Sequence, residues 1–263
     1  MPQFPAPRRV GLARALSKLG YCSRSHAFEL IRAGKIQVNG KSRRNPETPV
    51  DLSHDQIQIN GRVVAAKSKI YLMLNKPRGV VTTASDEKGR QTVYDLLPDD
   101  SSFVAPVGRL DKASEGLLLL TNDSEWGARI IDPQTHLEKT YHVQIGIVAD
   151  SALINSLLKG VRPSEAGFLH VTRASILRGG AKNTWLEIGL HEGKNRHIRR
   201  MMNAFGIDVL RLVRVAIGPL ALGDLAKGHS RPLKASEKQS LDRALRKRTR
   251  SAQMAALEKG TAG

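Results

Sequence analysis

The sequence predicts an α+β chain built in two parts: a small helix-then-hairpin unit, followed by a larger mixed and mostly antiparallel sheet. Two helical patterns near the N-terminus give way to two alternating runs that each end in Asn-Gly, a strong hairpin signal. Beyond residue 68, apolar runs suited to strands alternate with short helical stretches and turn residues. Forty per cent hydrophobic residues over 263 positions are enough for a packed core and argue against global disorder.

In order, Leu12, Ala15, Leu16 and Leu19 recur at helical spacing and Gly20 is placed to end that helix. Ser23 caps a second helix through Ala27, Leu30 and Ile31, closed by Gly34. Lys35 to Gly40 and Asp55 to Gly61 are the alternating strands that run into Asn-Gly turns. Val63 to Ser68 reads as a linker. Tyr71 to Asn75 is the next strand, turned by Lys76-Pro77-Arg78-Gly79, and Thr92 to Leu97 is a short helix. Phe103 to Val107 and Gly116 to Thr121 are strands flanking a polar loop, the second apolar enough to be buried on both faces. Asp123 caps a helix through Trp126, Ile130 and Ile131. Glu138 to Ile145 is a strand with Tyr141, Val143 and Ile145 on one face. Ala152 to Leu158 is helical, and Leu169 to Leu177 and Trp185 to Leu190 are further strands. Ile198, Met201, Met202 and Phe205 form the apolar stripe of a helix whose other side carries Arg196, Arg199, Arg200 and Asn203. Leu210 to Leu220 is the next strand, Ala235 to Lys247 is a last helix, and a basic, disordered tail follows. The expected division is 10–66, 69–235 and a basic 236–263 segment.

Charge narrows the partner. The net charge is +18 and the pI about 10.4. The first 68 residues hold 12 Lys/Arg against 4 Asp/Glu and the last 37 hold 10 against 3, while the middle is nearly balanced. Clustered positive charge favours a polyanion. Nucleic acid fits better than a membrane surface, because no amphipathic helix with aromatic anchors stands out. A single cysteine, Cys22, excludes an internal disulfide and a cysteine-rich zinc site, and suits a reducing cytoplasm. No apolar run is long enough to span a membrane, and Met1 to Arg9 reads as a loose arm without a signal core. His191 and His197 are badly spaced for a shared metal and are expected to face solvent; no metal ligands are expected. No phosphate loop or dinucleotide fingerprint is present.

The polar loop carries one carboxylate, Asp111, between Gly108 and Gly116. Its plain reading is a turn cap. Yet Gly108-Arg109-Leu110-Asp111, Ser114, Gly116 and an apolar run ending Thr121-Asn122-Asp123 resemble the active-site motif of rRNA pseudouridine synthases, closest to the bacterial ribosomal (RsuA/RluB-like) type. Asn75-Lys76-Pro77-x-Gly79, Lys139-x-Tyr141, the helix from Arg196 and Leu212-x-Arg214-x-x-Ile217-Gly218 are similar to the family's other motifs, in the expected order. Ser124 stands where the family often has Gly. Residues 10–62 resemble the S-four-type RNA-binding domain, named after a ribosomal protein.

The resemblance implies an enzyme that isomerises uridine to pseudouridine in ribosomal RNA or a pre-ribosomal particle. It implies Asp111 as catalytic carboxylate, Tyr141 stacked on the uracil, Arg199 paired with Asp111 and Leu212 beside the base. Arg109 would fill the space the target vacates. Arg14, Lys18, Arg24, Arg32, Lys35, Asn39 and Lys41 would meet RNA from the N-terminal unit, with Arg196 and Arg200 adding phosphate contacts. No cofactor is needed for a reaction without redox or group transfer, and a cytoplasmic monomer is expected. Glu192-Gly193-Lys194-Asn195-Arg196 is closer to the branch acting on large-subunit (23S) rRNA. The alternatives are a small-subunit (16S) enzyme and a non-catalytic RNA-binding or ribosome-assembly protein.

Overall fold

The computed structural model describes residues 9–83, 86–98, 103–163 and 167–246. The expected N-terminal arm up to Arg8 and the basic tail from Lys247 lie outside the described residues. The chain divides into two compact units, one of Met1–Tyr71, Asp100–Ala105 and Leu120–Trp126, the other of Leu72–Asp99, Pro106–Leu119 and Gly127–Gly263.

In the first unit β1 (Val10–Gly11) leads into α1 (Leu12–Lys18) and α2 (Arg24–Arg32); β2 (Ile36–Val38), β3 (Lys41–Ser42), β4 (Pro49–Val50), β5 (Ile57–Ile59) and β6 (Arg62–Val63) follow. Leu12, Ala15, Leu16, Ala27, Ile31, Ile36 and Ile57 bury the stripe that their spacing foretells. The Ser23 hydroxyl accepts from the His26 amide at 3.1 Å and starts α2. Both Asn-Gly pairs are left-handed, with φ of 52° and 74° at Asn39 and Gly40 and of 49° and 76° at Asn60 and Gly61. That geometry closes the hairpins of the sheet ordered β3-β2-β5-β6. Val63 belongs to β6, so the linker starts one residue later than expected.

The remaining elements are β7 (Tyr71–Lys76), β8 (Ala105–Pro106), β9 (Glu115–Thr121), α3 (Ser124–Ile131), β10 (Lys139–Ile145), α4 (Ser151–Lys159), β11 (Arg173–Gly179), β12 (Thr184–Leu190), α5 (His197–Ala204), β13 (Val209–Ile217), β14 (Leu220–Ala221) and β15 (Ser230–Pro232). The sheet runs β11-β12-β10-β13-β9-β7-β15. The pairs β10–β12, β10–β13 and β11–β12 are antiparallel, and β9 runs parallel to β13. Val143, Ile145, Leu186, Ile188, Ile198, Met201 and Met202 form a dry core between one sheet face and α5. Every residue of β9 is buried, as its unbroken apolar run requires. A Cβ on Gly116 (φ 101°) would collide with the Arg214 carbonyl, so only glycine lets β9 and β13 close here. Glu115, buried in the same strand, is matched by Arg211 at 3.0 Å and Lys227 at 2.6 Å.

Three expected elements differ. Thr92 to Leu97 forms one 3-10 turn, Tyr94–Leu96, because six residues are too few to repay helix nucleation. Phe103 to Val107 contracts to Ala105–Pro106, since Pro106 lacks a ladder donor. The strand expected from Leu169 starts at Arg173, and Leu169 instead makes a single bridge to Val161. Residues 235–246 are helical as expected, with Leu241 and Leu245 buried one turn apart. Among the described residues no helix is long and apolar enough to cross a membrane.

Candidate active site

A cleft of about 550 Å³ opens on the second unit. Its walls come from four places: the 107–111 loop, the end of α3 with Ile130 and Ile131, Lys139 and Tyr141 on β10, and the Glu192–Ile198 segment. Leu212 and Arg214 on β13 form its floor. Asp111, Arg109, Tyr141, Leu212 and Arg196 therefore share one cavity, although 103 residues of chain separate Arg109 from Leu212.

The loop bearing Asp111 is held by its own main chain. Five consecutive carbonyls each accept a hydrogen bond. Leu110 accepts from the Thr82 hydroxyl at 2.8 Å, Asp111 from the Ser114 amide at 2.9 Å, and Lys112 from the Gly79 amide at 2.8 Å. Ala113 accepts from Arg199 Nη2 at 3.0 Å and Ser114 from Lys76 Nζ at 2.9 Å. Three of these donors lie in the 76–82 turn, which explains physically why Asn-Lys-Pro-x-Gly accompanies the loop. Lys76 is fully buried, its ammonium also bonded to the Pro77 carbonyl at 3.0 Å. Burial pulls its pKa down to about 8, against the pull of Asp111 and Glu115. The loop thus presents a half-buried carboxylate to the cleft on a backbone that has no slack.

Arg199 corrects an expectation. It does not pair with the Asp111 carboxylate; its two terminal nitrogens bond the Ala113 and Val209 carbonyls at 3.0 and 3.1 Å. Burial and then Arg196 lower its pKa, while Asp111 opposes them, so the carboxylate lies within its field. The outer row of arginines expected on α5 is also not uniform. Arg196 is exposed, in a left-handed conformation (φ 50°) before the helix, whereas Arg199 and Arg200 are half-buried. His197 is likewise buried, not solvent-facing, and lines the cleft. Its neighbours Ile198 and Met201 turn inward and carry it with them, and desolvation lowers its pKa.

Tyr141 projects from the same face of β10 as Val143 and Ile145 and stays half-exposed at the cleft. Its register partner on β13 is Arg214, which is buried and donates from Nε to the Leu117 carbonyl at 2.7 Å. Leu212 is buried beside them. Spacing alone singled out neither Lys76, Thr82, Arg214 nor His197. The Asn-Lys-Pro-x-Gly and Leu-x-Arg patterns were the available signals for the first and third.

In the first unit Arg14, Arg24, Arg32, Lys35, Asn39 and Lys41 are exposed. Asn39 is partly committed to its own turn, donating to Asp55 at 2.8 Å and accepting from the Gln56 amide at 2.9 Å. Lys18 is half-buried and paired with Glu125 at 2.7 Å, so its charge is partly spent. Among the described residues no three His, Cys, Asp or Glu side chains gather as a metal site.

A model of RNA pseudouridylate synthases matches residues 70–204, more than half of the chain. The chain belongs to that family. An S4 domain model matches residues 10–57. An RNA pseudouridine synthase of Aquifex aeolicus is 38% identical over 237 residues, covering 90% of this chain and 95% of the relative. The ribosomal large subunit pseudouridine synthase B of Bacillus subtilis is 37% identical over 224 residues, covering 84% and 91%. A crystal structure of a pseudouridylate synthase shares the fold with a TM-score of 0.62 at 28% identity, over 88% of this chain and 99% of that one. The chain is thus a pseudouridine synthase with an N-terminal S4 domain, α+β in class.

Proposed function

We propose that this synthase converts one uridine of large-subunit (23S) rRNA, free or in a pre-ribosomal particle, to pseudouridine, with Asp111 as the catalytic carboxylate. The observation that carries the reading is the tethered loop. Five fixed carbonyls hold the loop that carries Asp111, its one carboxylate, at a cleft shared with Tyr141. The similarity to the Bacillus subtilis large-subunit enzyme supports the choice of substrate.

The isomerisation breaks the bond from C1′ to N1, forms one from C1′ to C5, removes the proton on C5 and leaves one on N1. Atoms and electrons balance within the nucleoside, so no cofactor enters the proposal. Asp111 acts on the nucleoside at the bond being exchanged. In this reading Tyr141 holds the detached ring by stacking and moves the C5 proton. Leu212 supports the ring's other side. Arg199 positions the carboxylate through the Ala113 carbonyl, to which it donates at 3.0 Å.

A uridine must leave its stack to enter such a cleft, at a cost of a few kcal/mol, and Arg109 fills the vacated place. Residues 10–66 hold the RNA through exposed bases, residues 69–235 perform the chemistry and 236–263 add a basic extension. A monomer working where ribosomes are made, in the cytoplasm, completes the proposal. The test is carbodiimide mapping of rRNA from cells lacking the gene, rescued with wild type or Asp111→Ala. One 23S stop lost on deletion and restored only by wild type is expected. An unchanged map would overturn the reading.

A further inference from the structure

The strongest feature that the proposed chemistry leaves unused is a pair of aromatic rings beside the cleft. Phe168 is 43% exposed, the only aromatic ring among the exposed large apolar side chains of the described residues. Its ring lies parallel to the exposed His170 imidazole, with centroids 5.5 Å apart and planes 19° apart.

The pair is propped, not dangling. A Cβ on Gly160 would strike the Phe168 ring tip at 2.6 Å, so the ring rests directly on the glycine backbone. The Val161–Leu169 bridge, with hydrogen bonds of 2.7 and 2.8 Å, fixes the chain between the rings. On the cleft side, Lys194 donates to the Phe168 carbonyl at 3.0 Å and pairs with Glu192 at 2.8 Å. Glu192 and Lys194 both line the cleft. Lys194, and more weakly His197 and His170, hold the Glu192 carboxyl below its usual range, which puts His170 within electrostatic reach of the cleft wall. Over residues 159–172 the sequence holds Lys159, Arg162 and His170 against one acid, Glu165, and Lys159 and Arg162 are exposed.

We infer that Phe168 and His170 form a stacking platform for a nucleotide flanking the target uridine, an RNA contact of the catalytic unit separate from the S4 domain. Exposed rings on a rigid mount, with positive charge around them and a cleft alongside, are what an unstacked single-stranded base requires. A base displaced when its neighbour leaves the helix gains a new stacking partner there. The contact tolerates any base, because every base has a π-face. The inference rests on the proposed RNA-modifying activity and concerns binding, not bond exchange.

The test uses the full chain and a transcript of 23S rRNA carrying tritium at uridine C5, with affinity read by filter retention and turnover by tritium release. Phe168→Ala is expected to weaken binding and raise KM about tenfold with a much smaller effect on kcat. Phe168→Trp is expected to restore affinity and Phe168→Leu is not, which separates stacking from packing on Gly160. His170→Ala should give a smaller loss in the same direction. Unchanged affinity in Phe168→Ala, or equal rescue by Leu and Trp, would overturn the platform. Wild-type chain that binds the transcript but releases no tritium would overturn the proposed activity, and the binding arm would still decide the platform.

Discussion

The two units use positive charge in opposite ways. In the S4 domain Arg14, Arg24, Arg32, Lys35 and Lys41 stand exposed on short helices and hairpins. In the catalytic unit Lys76 and Arg214 are buried and Arg199 half-buried, and each donates to a main-chain carbonyl of β9 or of the loop before it. Under the proposed function, cations of the first kind set affinity and its salt dependence, each neutralising a phosphate and releasing a counterion. Those of the second kind set geometry: they turn backbone acceptors into fixed points and hold one carboxylate still. The difference teaches that the +18 net charge is not a single property of the chain. Part of it stands exposed, available to a polyanion, and part of it is structural.

Substitutions separate the two uses of charge. The largest effect belongs to Asp111→Asn, which keeps size and fold but removes the charge that the tethered loop presents. Turnover should fall ~1,000-fold or more with RNA affinity held within a few-fold, as read by single-turnover kinetics and filter retention. Next is Gly116→Ala. The added methyl meets the Arg214 backbone at a left-handed φ, and urea unfolding should show a loss of about 3 kcal/mol or more. An equivalent substitution at Gly40, where a Cβ meets nothing within 4 Å, should cost only the left-handed backbone penalty of about 1 kcal/mol.

Lys76→Met tests the buried cation by pH. A lysine whose folded pKa is lowered to about 8 carries a burial cost while charged, fully present below pH 8. That cost is relieved as pH rises from about 8 toward the unfolded value near 10.5. Wild type should therefore gain stability over this window relative to Lys76→Met, whose melting temperature has no such arm. A parallel pair of pH curves would contradict it. The smallest effects belong to the exposed set. Arg24→Ala or Arg32→Ala should each weaken RNA binding a few-fold, lower the slope of log K against log salt by about one, and leave the melting temperature almost unchanged.

Much of this was legible in the sequence because local physics and tertiary context agree. Asn39-Gly40 and Asn60-Gly61 are turns in any context, and Leu117 to Leu120 has nowhere to go but a buried strand. Asp111, Tyr141 and Leu212 could be named from motifs, and they do meet in one cleft. What the sequence concealed is partnership across distance. Nothing at Lys76 says that its ammonium ends on the Ser114 carbonyl, 38 residues away. The family resemblance makes Arg199 a carboxylate partner, and the backbone acceptors it meets instead leave no mark in a sequence. His197 reads as solvent-facing because its spacing from His191 does not suit a shared metal and nothing in the sequence names another partner. It opens α5 beside the inward-facing Ile198 and Met201 and is buried with them.

The most direct measurement is tritium release from C5-labelled 23S transcript by the purified chain, wild type against Asp111→Asn, with retention on the same RNA measured alongside. The expected result is stoichiometric release by wild type at one site and none by the variant, at closely similar affinity. Release by Asp111→Asn at the wild-type rate would contradict the claim that the tethered loop exists to present this carboxylate.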